Sequence, residues 1–285
     1  MKNEWKVAQT LSDMLLFENQ IPFFVVFELL KLKRDKSDAA TLLKELLELV
    51  KNCYMNQVHK LTLIHALPSC KYNPENLPKH LLEVVHSCCM PTNITTTDED
   101  FTGFVSKQMK TATELEQYGV SFKKSGKVHS VFDMDFNRGI MKIRCFRIDD
   151  FTETLLRNMI AYEQHYDLAI KYFSDFVLFM SHLIHTPEDA KLVCGSGIIV
   201  NFQATGMEQL FSELRLGINT STTSTLATLS GVINNVNQYC EMPWNNWMRM
   251  LRQDLVNSAW KPILANAGVI SISLGIAVYI KTLVK

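Results

Sequence analysis

The run LFENQIPFFV, residues 16–25, sets three hydrogen-bonding side chains, Glu18, Asn19 and Gln20, inside a strongly apolar neighbourhood, with Pro22 close behind. Such a cluster is either a ligand or catalytic site or a corner between two helices. Pro22 suits the first turn of a new helix, where its missing N–H costs nothing. It also pushes the residue before it out of the helical region. The stretch therefore predicts a helix over 5–17, a corner, and a second helix over 22–33. A corner leaves carbonyls of the first helix and N–H groups of the second unpaired. Asn19 or Gln20 can cap the second helix, and Glu18 lies near its positive dipole end. A buried corner thus accounts for the polar triplet without any substrate.

Outward from the corner, most of the chain has helical periodicity. Over 38–54 leucines recur near a period of 3.6, with Lys44, Glu45, Glu48 and Lys51 opposite. Further helices are expected over 77–88, 107–118, 151–165, 172–185, 187–194 and 206–216. Residues 120–122, 131–136 and 140–146 break the pattern, alternating β-branched and aromatic side chains with polar ones. The last two, with Asn137, Arg138 and Gly139 between them, read as a hairpin with a three-residue loop. Residues 91–100 and 219–225 are polar, aperiodic loops with sequons at Asn93 and Asn219.

The formal net charge is zero, and no basic stripe is interleaved with aromatics, which excludes nucleic acid as a partner. With 47% hydrophobic and 20% charged residues the chain is globular rather than disordered. The seven cysteines are scattered and include no CxxC, which fits reduced thiols packed as small hydrophobes. His182 with His185, and His86 with Cys88 and Cys89, lack the further ligands a metal site needs. No metal and no cofactor are expected. CGSG at 194–197 lacks the spacing of a nucleophile elbow or phosphate loop and reads as a helix closed by glycine. With no catalytic motif in view, the chain is not expected to be an enzyme.

The far end differs. Residues 262–280, PILANAGVISISLGIAVYI, form a nineteen-residue run without a charge. A helix of that length is about 28 Å long, close to the hydrocarbon thickness of a bilayer. Trp260 and Lys261 at one end and Tyr279 and Lys281 at the other have the character of membrane-interface residues. Ala267, Ser271 and Gly275 would put a small-residue face on such a helix, suited to weak homodimerisation. The opening MKNEWKVAQT has no secretory h-region, so the bulk of the chain is expected on the cytosolic side of a single C-terminal pass.

Three blocks of the sequence carry a resemblance. DMLLFENQIPFFV (13–25) is similar to the Leu-Leu-Glu-Asn-Gln-Ile-Pro-Phe-Phe motif of the plant family called domain of unknown function 247. ATELEQYGVSF (112–122) and LLRNMIAYEQ (155–164) resemble two further blocks of that family, in the same order. Phe17 stands where the family usually has leucine. The resemblance implies a C-terminal membrane segment and a longer N-terminal half, with Tyr, Pro and His-Gly motifs that these 285 residues lack. It supplies no enzyme activity and points to recognition or signalling, as in plant reproductive self-recognition.

The combined expectation is a mainly α protein. A helical domain over 1–243 holds one small antiparallel sheet near 120–147, followed by an amphipathic juxtamembrane helix over 244–261 and a transmembrane helix over 262–284. Its expected role is interaction or recognition at a membrane, with a protein partner of unspecified kind. The rival readings are an enzyme with a pocket near Glu18, Arg157 and Glu163, and a nonfunctional truncated paralogue. A structural corner would unite Glu18, Asn19, Gln20 and Pro22 with Arg157, Asn158, Glu163 and Gln164, because buried polar groups must be paired.

Overall fold

The computed structural model describes residues 4–33, 38–58, 72–90, 109–126, 132, 134–149, 151–201, 206–219 and 227–257. The first part is helical: α1 (Glu4–Asp13), α2 (Phe23–Lys33), α3 (Ala39–Val58), α4 (Leu81–Cys89) and α5 (Ala112–Gln117). Four short strands follow, β1 (Ser121–Lys124), β2 (Met134–Asn137), β3 (Ile140–Ile143) and β4 (Phe146–Ile148). Then come α6 (Thr152–His165), α7 (Tyr172–Leu183), α8 (Pro187–Gly195), β5 (Ile199–Asn201), α9 (Met207–Leu216), α10 (Ser230–Glu241) and α11 (Pro243–Asn257).

Helix α7 lies in the main core, because FSDFVLFMSHL is apolar on nearly every side. Phe173, Phe176, Phe179 and Leu183 are fully or almost fully buried there, packed with Leu155, Leu156 and Met159 of α6 and Phe211 of α9. A second core joins Phe23 and Phe27 of α2 to Leu42, Leu43, Leu46 and Leu47 of α3. Helix α4 is the wall between the two. Its Leu82, Val85 and Cys89 belong to the main core, while Val84 and Cys88 belong to the second.

The sheet corrects the expectation of one antiparallel unit. In the three-stranded sheet β3 is central: β2 pairs with it antiparallel, but β1 pairs with it parallel. A second, two-stranded sheet joins β4 to β5 in parallel. Alternation shows which residues extend, whereas the partner and direction of a strand depend on segments distant in sequence. The β2–β3 loop is also shorter than expected. Asn137 pairs with Ile140, leaving only Arg138 and Gly139 as loop residues. Both have positive φ, 48° and 78°, the pattern of a type I′ turn.

The membrane helix is corrected as well. No described helix is long and apolar enough to cross a membrane. Helix α3 has the length, at 20 residues, but carries Lys44, Glu45, Glu48 and Lys51. Residues 262–284, with Trp260, Lys261, Tyr279, Lys281 and the small-residue face of Ala267, Ser271 and Gly275, lie outside the described residues. What precedes them is α11, which ends at Asn257 and packs on α5 and α10. The observed fold class is mainly helical with two small sheets.

Candidate functional site

The polar residues of the three sequence blocks converge on helix ends. The corner is a single 3-10 turn, Phe17–Asn19, flanked by extended residues at Leu16 and Gln20. The side chain of Asn19 donates to Asp13 O at 3.0 Å, and that of Gln20 donates to Met14 O at 2.9 Å and Leu16 O at 2.8 Å. These carbonyls lie at and just past the end of α1, beyond the reach of its i→i+4 ladder, and Asp13 O and Leu16 O accept in addition from Leu16 N and Asn19 N. The other end of Gln20, Oε1, accepts from Leu82 N at 2.9 Å. Gln20 therefore caps α4 rather than α2. Glu18 is exposed, as are Asn19 and Pro22, so the corner is a surface feature with a polar inner edge.

Asn158, not Arg157, makes the tie from the corner to α6. Its Oδ1 accepts from Phe17 N at 2.6 Å and its Nδ2 donates to Thr154 O at 2.7 Å. Arg157 points to solvent, paired with Glu153 at 2.8 Å and reaching Glu213 at 3.7 Å. Gln164 donates to Gly217 O and accepts from Asn219 N, both at 2.8 Å, pinning the turn after α9.

Glu163 is fully buried and is the most heavily bonded of this set. Its Oε1 accepts from Phe173 N at 2.8 Å, and its Oε2 accepts from Ser174 N at 2.9 Å and Ser174 Oγ at 2.7 Å. It thereby places a carboxylate on the positive end of α7, where no local residue caps the helix. His86 of α4 completes the cluster, with Nε2 3.2 Å from Oε1. A serine, a histidine and a glutamate in contact invite comparison with a nucleophilic triad. In a triad the imidazole stands between hydroxyl and carboxylate, so that it can take the hydroxyl proton. Here the carboxylate stands between the other two and accepts from both helices, and Ser174 is buried. The geometry locks α4, α6 and α7 together.

The enzyme reading grouped Glu18, Arg157 and Glu163 in one pocket, and the structure does not bring them together. Glu163 is buried on the inner side of α6 against the start of α7, Arg157 is on the outer face of the same helix, and Glu18 is on the corner surface.

Two sites had no expectation attached. Asp189 of α8 accepts from Thr113 N and Oγ1 through one oxygen, and from Thr186 N and Oγ1 through the other, all at 2.8–2.9 Å. Burial pushes its carboxyl up, but the bonds from Thr113 and Thr186 outweigh this and hold it below the usual carboxylate range. The Thr186–Asp189 spacing is a readable capping box, while the reach to Thr113 is not. The second is an aromatic cluster. The His80 ring lies against Phe17 of the corner and Tyr162 and Tyr166 of α6, with the Lys79 ammonium 3.8 Å from the Tyr166 ring centroid.

Among the described residues no group of three His, Cys, Asp or Glu side chains could hold a metal. His182 bonds Leu178 O through Nδ1 at 2.7 Å, and His185 is exposed. Burial pushes the Cys88 thiol up to about 12 and Cys89 well above the usual thiol range, which suits inert core packing. The CGSG turn closes α8, with Gly197 at φ +73°.

Comparison with known proteins follows the same lines. A family model described as plant protein of unknown function matches residues 1–274. The UPF0481 protein At3g47200 of Arabidopsis thaliana is 22% identical over 278 residues, which cover 90% of this chain and 56% of the relative. The putative UPF0481 protein At3g02645 of the same plant is 27% identical over 165 residues, 57% of this chain and 31% of the relative. The chain thus spans about half, or less, of the length of these curated relatives. No solved structure matches.

Proposed function

The chain belongs to the plant family called domain of unknown function 247, and from that premise we propose that it is a protein-interaction module that docks a partner on the outer face of α2. One observation carries this reading. Helix α2, FFVVFELLKLK, is apolar almost all round, yet only one side of it, Phe23 and Phe27, is buried. A helix of that composition is normally covered on every side. Instead Phe24 is 57% exposed, Leu29 62% and Leu32 78%, with Ile21 at 60% just before the helix. At 100° per residue Phe24, Leu32 and Leu29 fall within one outward arc. Contiguous apolar surface of this kind marks interaction sites in soluble folds.

The occupant that fits is an apolar helical stripe of another protein with an acidic residue beside it. Lys31 is satisfied by Glu28 at 2.7 Å, whereas Lys33 stands exposed beyond Leu32 and favours a carboxylate across the contact. The polar blocks support the same division of labour, because Gln20, Asn158, Glu163 and Gln164 all end on backbone groups of this chain.

Proximity labelling in plant tissue, comparing the wild-type chain with a Phe24→Glu, Leu32→Glu double variant, tests the reading. A protein enriched by the wild type should, once purified, bind it directly and lose at least about tenfold in affinity toward the variant, as expected for central apolar anchors. Equal binding by both chains, with the variant still folded by circular dichroism, would refute it. A wild-type chain that sediments as a dimer where the variant is monomeric would assign the face to a second copy instead.

A further inference from the structure

Helix α4 begins with an unusual cap. His80 has extended backbone geometry, its carbonyl accepts from Val84 N, and its Nδ1 accepts from Glu83 N at 3.3 Å. Caps are normally oxygen-bearing side chains whose acceptor does not titrate near neutrality. Because Nδ1 accepts, the proton of the neutral ring sits on Nε2 and is donated to Tyr166 Oη at 3.2 Å. The same residues seat the neighbouring corner. Phe23 N donates to Lys79 O at 2.8 Å, Pro22 bridges to His80, and Gln20 caps Leu82 N one residue before Glu83.

We propose that His80 is a pH-responsive latch: a proton on Nδ1 removes one of the two side-chain caps of α4, the one on Glu83 N, and loosens the seat of the 17–19 corner and of α2. The protonated ring has no acceptor left, so it would set an N–H against the Glu83 N–H and a positive charge at the positive end of the helix. Several groups surround it. Lys79 precedes it and Glu83 lies one turn on, while His165, Tyr162 and Tyr166 face it from α6 and Phe17 from the corner. Burial pushes its pKa down, Glu83 opposes this, and Lys79 and His165 push it down further, so the balance falls below the ordinary imidazole range. The folded state then binds the proton less readily than the unfolded chain. The stabilisation is complete above the unfolded value of about 6.5 and is lost as pH falls from there through the lowered folded value. The latch does not depend on α2 being a docking face.

Two measurements on the full chain test it. Nitrogen-15 NMR of the histidine rings at neutral pH should find His80 protonated on Nε2 and bare on Nδ1. Amide exchange should show Glu83 losing protection severalfold from about pH 7.5 to pH 5.5, after correction for intrinsic exchange, as the proton is taken up. His80→Asn keeps an acceptor at the cap without a titrating group, so its Glu83 protection should stay level over that range. Protection that is level in the wild type, an equal loss in His80→Asn, or a neutral ring protonated on Nδ1 would each overturn the proposal. If His80→Asn fails to fold, the tautomer and the wild-type protection decide the matter alone.

Discussion

Asn19 and Asn158 both bond backbone groups of the corner region, but their environments differ. Asn19 is exposed, and water replaces its bond to Asp13 O when the side chain is removed. Asn158 is 8% exposed and holds the Phe17 amide where water has poor access. Asn158→Ala is expected to lower stability by about 2 kcal/mol, the cost of a buried donor left without a partner. Asn19→Ala should stay within about 0.5 kcal/mol, as surface substitutions do. Urea unfolding of the two variants side by side checks the order; an Asn19→Ala cost equal to that of Asn158→Ala would contradict it. Glu163→Gln is a sharper case. An amide keeps one acceptor but turns its NH2 toward the donors of α7 or toward His86, so the expected loss is about 3 kcal/mol. A Glu163→Gln, His86→Ala double-mutant cycle should return a coupling of about 1 kcal/mol or more, whereas additive losses would separate the two residues. At this scale the sequence was legible in part. The presence of polar groups among apolar ones announced buried bonds, but which backbone group each would meet depended on helices brought together from far along the chain.

At the scale of elements, the β2–β3 hairpin shows what a local signal can carry. The extended segments and the glycine of its turn were readable because a hairpin closes between near neighbours. The turn is two residues long, and Arg138 occupies a left-handed position that costs a non-glycine residue about 1 kcal/mol. Arg138→Asn should raise the unfolding free energy by about 0.5 kcal/mol, since asparagine tolerates that conformation. Gly139→Ala should do the opposite. Its φ is +78°, and a Cβ there would sit 2.5 Å from the Tyr239 hydroxyl of α10, so a loss of about 2 kcal/mol is expected. Thermal melts of both variants test the opposite signs. The parallel pairings of β1 with β3 and of β4 with β5 had no such local mark. Between Phe146 and Ile199 lie three helices, and only their packing brings the strands into register.

For the whole molecule, Asp189 links the start of α5 to the start of α8, and its depressed pKa makes it a source of acid sensitivity. The folded carboxylate binds protons less readily than the unfolded one. Its stabilisation is therefore present above the ordinary aspartate range and is lost as pH falls through the lowered folded value. Denaturant midpoints followed from about pH 5 to pH 2 should decline less steeply in Asp189→Asn than in the wild type. Parallel declines would assign the acid sensitivity to other carboxylates. The spans of α2 and α3 followed from residue chemistry alone, through Pro22 and the leucine period over 38–54, because these act within one or two turns of the chain, whereas α1 ends at Asp13, short of the expected residue 17, and α10 had no expectation. The family resemblance was legible in the same way, in three contiguous blocks. The mixed direction of the sheet, the capping of α4 by Gln20 and His80, and the uncovered face of α2 were decided by tertiary structure. Each is a relation between segments remote in sequence, and no local propensity encodes which buried donor will meet which acceptor or which apolar face will be left in water.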